Sequence, residues 1–238
     1  MRSTVPTRQE RTEMNDERPA VLDGGKPITY PARPTKGGPV GGPVWKMRSE
    51  AGTRSDSAYL YSPKYNGWRV LLHVPTGKCY NRHLHHLSIQ DEFQDAIEFI
   101  QDREHDVADA LTGYDWLDCE GLERRHGIGR GSLIVLDVPS MGSSCFEDRM
   151  CALSITFSKH NIHEKPKNNS VYVPCHFPRE GCQVIDEDLF RLNHEWDAEF
   201  YEGMVGVKAD SEYPVQLIAA DKKSPYWVKH RWSNRKEL

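Results

Sequence analysis

Residues 57–74 read SAYLYSPKYNGWRVLLHV. Stretches rich in aromatic and β-branched or aliphatic side chains lie on either side of Asn66-Gly67. That pattern predicts two extended segments joined by a tight turn, the signature of a β-hairpin. Outward from it, GKCYNRHL (77–84) reads as a further short strand. QDEFQDAIEFIQ (90–101) sets Phe93, Ile97 and Ile100 on one helical face, and EHDVADALTGY (104–114) continues that helix with Val107, Leu111 and Tyr114. WLDCEGLE (116–123) and GSLIVLDV (131–138) read as strands, residues 143–161 as a helix, and VYVPCHF (171–177) as a strand. A helix over 186–200 then precedes two strands, EGMVGVKA (202–209) and PYWVKHRW (225–232). Helices separated by strands in no regular alternation imply an α+β fold of mainly antiparallel sheets flanked by helices.

Composition sets limits on that reading. The chain has 238 residues, 37% hydrophobic and 28% charged, which is enough apolar material for one domain plus a tail and too much for full disorder. Its net charge is -4, but residues 1–50 carry nine basic and six acidic side chains and residues 222–238 carry six and one. The 171 residues between them therefore sum to -12, an acidic body between basic ends. Bulk charge does not make this a coat for nucleic acid, yet basic ends meet a polyanion locally because screening favours near charges. Prolines 27, 31, 34, 39 and 43 and three Gly-Gly pairs mark residues 1–50 as a flexible basic arm, leaving 51–238 as the folded domain. No stretch reaches the roughly 20 apolar residues of a membrane span, and the start has no signal-peptide core. Six cysteines include no CxxC, which fits free thiols in a reducing compartment. The expectation is a soluble, monomeric protein, cytoplasmic or nucleoid-associated.

A lone lysine beside a turn is ordinarily an exposed hairpin lysine. Lys64 is set apart by the residues downstream of it: Asn81-Arg82, then Asp118-Cys119-Glu120, Leu136-Asp137, Glu202-Gly203 and Trp227-Val228-Lys229-His230-Arg231. Period-2 geometry puts Asp118 and Glu120 on one strand face and Lys229 and Arg231 on another. Carboxylates able to hold a divalent metal, with cations able to hold phosphates around a candidate nucleophile, are the set that phosphoryl transfer requires.

In their order, these elements resemble the motifs of the covalent nucleotidyltransferases: ATP-dependent DNA ligases, RNA ligases and messenger-RNA capping guanylyltransferases. KYNGWR (64–69) is similar to KxDGxR, LDCEGL to the Asp-Gly-Glu strand, and LIVLDV to the strand ending in Phe-Asp. CYNRHL, FEDR, YEGMVGVK and YWVKHRW resemble the remaining elements, so the likeness runs from residue 57 to 233. It implies a ligase adenylation (nucleotidyltransferase) domain. It further implies that Lys64 attacks the α-phosphorus of ATP to give lysyl-AMP, with Mg²⁺ or Mn²⁺ as the metal. A free lysine, with a pKa of about 10.4, is mostly protonated at neutral pH, and neighbouring cations would lower that value. By the same resemblance, Pro63, Arg69, Arg82, Glu120, Leu136, Glu202 and Lys229 bind the nucleotide. Lys229 and Arg231 grip the α-phosphate, and Glu202 and Glu120 hold the metal.

This chain departs from the pattern at four places. Asn66 replaces the motif's aspartate, Leu136 its adenine-stacking aromatic, and Arg231 its second lysine. Lys208 lies six residues after Glu202 where five are usual, and strand parity then puts it on Glu202's face unless a bulge intervenes. Trp68-Arg69 resembles DNA ligases more than RNA ligases, so the partner expected is nicked or broken DNA, with RNA ligation as the alternative. Capping and an idle nucleotide-binding relative rank behind both. Only six residues follow the last motif, so no C-terminal oligonucleotide-binding barrel is expected in the chain, and a separate nucleic-acid-binding protein is a candidate partner. Trp68, Trp116 and Trp227 read as core, whereas Trp45 and Trp232 read as nucleic-acid contacts. His176 reads as a surface or satisfied histidine, and HLHHL (83–87) as no metal site.

Overall fold

The computed structural model describes residues 34–37, 40, 59–106, 115–123, 127–141, 143–213 and 224–232. Two sheets carry the fold. The first has the order β1(Pro34–Lys36), β9(Ser224–Arg231), β8(Tyr201–Lys208), β2(Tyr59–Tyr65). The second has the order β4(Lys78–Tyr80), β3(Trp68–His73), β5(Trp116–Leu122), β6(Ser132–Asp137), β7(Val171–Tyr172). Pairing is antiparallel apart from β1 on β9 and β7 on β6. The α+β expectation holds, and the described residues form no closed barrel.

Among the described residues three α-helices cover the sheets: α1(Gln94–Asp106), α2(Phe146–Thr156) and α3(Cys182–Trp196). Phe93, Ile97 and Ile100 are buried as their spacing predicted, against Val70, Leu72, Leu117, Cys119, Leu133 and Val135 of the second sheet. Leu189 and Leu192 of α3 pack on Tyr61, Tyr65 and Met204 of the first. The continuation of α1 expected through Tyr114 lies outside the described residues. Residues 171–177 form a strand only over Val171–Tyr172, and Arg82 lies past the end of β4 in a turn.

The expected hairpin does not form. β2 and β3 are both strands, but they do not pair; β2 lies on β8 and β3 lies between β4 and β5. A two-residue hairpin turn of type I′ needs positive φ at both central residues, and neither Asn66 nor Gly67 has it. Asn66 instead ties the corner to the neighbouring chain, its N–H donating to the Phe200 carbonyl (3.0 Å) and its Nδ2 to that of Glu199 (3.0 Å). Gly67 is required by close approach: a Cβ there would lie 2.5 Å from the Gly121 carbonyl oxygen. The chain therefore steps from one sheet to the other, and the space between the sheets opens beside that step.

Part of the segment read as a flexible arm is also ordered. Pro34–Lys36 forms β1 at the edge of the first sheet, where a proline without an N–H is tolerated. Thr35 Oγ1 donates to the Trp227 carbonyl (3.0 Å), and the Gly37 N–H to that of Lys229 (2.9 Å). The rest of residues 1–50, apart from residue 40, lies outside the described residues, Trp45 included. The tryptophans are likewise redistributed. Trp116 and Trp227 are buried as expected, but Trp68 is 44% exposed because the corner carries it out of the sheet stack. Trp232, read as a nucleic-acid contact, donates through Nε1 to Asp186 (2.8 Å) and stands edge-on to Phe190. No described helix is long and apolar enough to cross a membrane, and all six cysteines are free thiols.

Candidate active site

Lys64 is the last residue but one of β2, opposite Gly203 of β8. The next pair is Tyr65 with Tyr201, so Glu202 is an extra residue in β8, a β-bulge. Gly203 permits it with φ 131°, and a Cβ there would lie 1.9 Å from the His230 carbonyl oxygen. The bulge turns Glu202 to the same side as Val205 and Val207, both of which line the cavity between the sheets. Its carboxylate holds the Nζ of Lys64 and the Nη2 of Arg231 together.

The same bulge answers the parity question at Lys208. Val207 lines the cavity five residues after Glu202, while Lys208 pairs with Asp210 (2.9 Å) away from it. One cation that the spacing puts in doubt is thus absent from the lining. β9 supplies two others, Lys229 and Arg231, which alternate with Trp227 onto the cavity face, opposite Val205, Gly203 and Val207 respectively.

The facing wall comes from the second sheet. Arg69 of β3 sits in register with Glu120 of β5, and its guanidinium grips Asp118 through Nε and Nη2. Asp118, fully buried, also accepts the Tyr213 hydroxyl (2.6 Å). Burial opposes the charge on Arg69, but Asp118 more than offsets this, so its pKa rises and the group stays cationic. Its guanidinium carbon lies 5.6 Å from the Trp227 ring centroid. Two of its nitrogens are thus committed to the protein, which makes Arg69 a wall-former first and a ligand contact only through its remaining donors. Glu120 accepts the Gly67 N–H (3.0 Å), so the corner and the acidic strand hold each other in place. Burial raises the Glu120 carboxyl above its usual range, against the pull of Lys64 and Arg69.

These walls enclose a cavity of about 500 Å³. Pro63, Lys64, Arg69, Arg82, Glu120, Leu136, Glu202, Lys229 and Arg231 all line it, although they span 169 positions of sequence from Pro63 to Arg231. The sequence reading missed Phe146, Pro174 and His176, which line it too. Of the two readings of His176, surface or satisfied, the second holds: it hydrogen-bonds the Pro174 backbone and lies edge-on to Phe146 (5.4 Å between ring centroids) in the cavity lining. Burial, reinforced by Lys159, lowers its pKa to about 4, so the ring is neutral at pH 7. The missed signal was position: residues 173–177 follow β7, which lies parallel to β6, the strand that carries Leu136.

No family model matches the chain, and no curated protein matches it by sequence. Solved structures match its fold. One described as "Pmar-Lig_Pre." superposes with a TM-score of 0.52 at 14% identity, over 87% of this chain and 47% of that one. Its companion "Pmar-Lig_PreS3" gives 0.51 at 15%, with the same coverage. A structure from "DNA binding with a minimal scaffold: Structure-function analysis of Lig E DNA ligases" gives 0.46 at 11%, over 84% of this chain and 68% of that one. The chain spans about half the length of the first two.

Proposed function

We propose that this chain, which has the adenylation-domain fold of ATP-dependent ligases, is a polynucleotide ligase that seals DNA nicks through a lysyl-AMP intermediate. The observation that carries this reading is the meeting of Lys64, Glu120, Glu202, Lys229 and Arg231, from four strands, in one cavity. Lys64 Nζ, once deprotonated, attacks the α-phosphorus of ATP. The bond from that phosphorus to the bridging oxygen breaks, and pyrophosphate leaves. Glu202 is the carboxylate in contact with Nζ and orients it, and the proton of Nζ passes to water. Lys229 and Arg231 offset the charge that builds on the phosphoryl oxygens, and the low-dielectric walls of the cavity strengthen that effect. In the second step an oxygen of the DNA 5′-phosphate displaces Lys64 from the adenylyl phosphorus. In the third, the 3′-hydroxyl oxygen attacks the 5′-phosphorus and its proton passes to water, while the bond from that phosphorus to the bridging oxygen breaks and AMP departs.

Glu120 and Glu202 suit a Mg²⁺ or Mn²⁺ ion, which is held in such sites by one or two carboxylates with the remaining ligands from substrate phosphate and water. Such an ion supplies charge neutralisation at the phosphates. Leu136, Phe146 and His176 give the cavity apolar and aromatic lining suited to a purine.

Incubation with α-labelled ATP and Mg²⁺ tests the reading. Label that survives denaturation in the wild type and vanishes in Lys64→Ala is expected. Absence of label with either Mg²⁺ or Mn²⁺ overturns the enzyme. Label from GTP in place of ATP points to capping chemistry, and sealing of nicked RNA but not nicked DNA reassigns the polymer.

A further inference from the structure

We propose that Trp68 is a stacking platform for a base at the strand end of the DNA substrate, an assignment that rests on the ligase reading of the adjoining cavity. Trp68 opens β3 directly after the corner, four residues from Lys64. Five large hydrophobic side chains are exposed among the described residues: Trp68, Phe99, Ile155, Val184 and Tyr226. Single exposed apolar residues are ordinary on any protein surface. Trp68 alone of the five lines the cavity. Folding has therefore left an indole nearly half uncovered in the lining of the candidate site, where burial would otherwise have stabilised the chain.

The charges around it select the occupant. Arg82 and His83 line the same cavity from the turn after β4, with Arg82 Nε donating to His83 Nε2 (3.0 Å). Lys229 and Arg231 stand on the opposite wall. The body of the chain is acidic, so the meeting of Arg82, Lys229 and Arg231 around one cavity runs against the average. A ligand that brings a π-face to Trp68 and phosphates to those cations is a nucleic-acid strand, the combination used by single-strand binding surfaces. The base of ATP is the competing occupant. It is better matched to the apolar and aromatic lining given by Leu136, Phe146 and His176, and the ATP KM of the Trp68 variants separates the two occupants.

The experiment compares wild type, Trp68→Ala and Trp68→Phe. Thermal melts first check that each variant folds, which an exposed position should permit. Lysyl-AMP yield from labelled ATP is measured next, followed by anisotropy of a fluorescent nicked duplex titrated with each protein. Trp68→Ala is expected to weaken duplex affinity about tenfold, the typical worth of one stacked base, and Trp68→Phe to recover most of it. Tryptophan emission should be quenched by duplex in the wild type and much less so in Trp68→Phe. Equal duplex affinity for Trp68→Ala and wild type overturns the assignment, as does a rise in the ATP KM of Trp68→Ala in its place. If no variant forms lysyl-AMP, the ligase reading fails, and the duplex titration still decides whether Trp68 contacts DNA.

Discussion

At the scale of single residues, the buried charges are organised as closed sets. Arg149 and Asp137 are both fully buried; Nε and Nη2 of the arginine meet the two carboxylate oxygens at 2.6 and 3.0 Å. Arg149 also donates to the Ser211 carbonyl (3.1 Å), and Asp137 accepts the Val138 N–H (2.8 Å). The pair fastens α2 to the end of β6 and to the segment leading to Tyr213, which in turn holds Asp118 and Arg69. Removing one partner strands the other charge in the core. Arg149→Met is therefore expected to cost about 3–5 kcal/mol in urea unfolding, and adding Asp137→Asn should recover part of that loss. FEDR and LIVLDV were legible as elements; that their Arg and Asp form one ion pair was not, because a sequence pattern carries no side-chain direction across twelve positions.

At the scale of elements, one extra residue in β8 decides the chemistry of its face. Strand alternation alone assigns Lys208 to the side of Glu202; the bulge at Glu202-Gly203 reverses this and turns Glu202 toward Lys64. Gly203→Ala would set a Cβ against the His230 carbonyl at a φ that L residues rarely adopt. The β8–β9 pairing must then shift, and a loss of about 2 kcal/mol or more in stability is expected. Lysyl-AMP formation at a temperature where the variant remains folded should fall at least tenfold, on the order of one such strain energy, since Glu202 and Arg231 leave their positions together. Equal labelling by folded Gly203→Ala and wild type would show that the bulge does not set the site. The apolar runs on either side of the turn signal located β2 and β3 correctly but not their partners, since such a run is silent on which strand lies alongside.

At the scale of the whole molecule, the first sheet is joined to α3 and the loop before β7 by a buried aromatic cluster. His160 sits within it, accepting the Tyr65 hydroxyl at Nδ1 (3.1 Å) and donating through Nε2 to the Glu164 carbonyl (3.3 Å). Burial lowers its pKa to about 4 from 6.5. The unfolded chain therefore takes up a proton before the folded one as pH falls. Stability is expected to be unaffected by this group above about pH 6.5, to decline between 6.5 and 4, and to level off below. At about 1.4 kcal/mol per pKa unit, His160 alone contributes a decline of roughly 3 kcal/mol. Urea midpoints measured across that window should fall less steeply in His160→Gln than in the wild type.

The sequence by itself determined the α+β class and most of the strands and helices, because residue type and local periodicity are written along the chain, and its resemblance to the nucleotidyltransferases nominated residues that line the cavity. Tertiary structure alone decided that the strands flanking Asn66-Gly67 belong to different sheets, that Glu202 and not Lys208 turns inward, and that Trp68 stands exposed while Trp232 is tied down. Each of these depends on a contact between distant segments: the Gly121 carbonyl against Gly67, the His230 carbonyl against Gly203, Asp186 beside Trp232. Local pattern cannot encode such contacts, because they exist only once the chain has closed on itself.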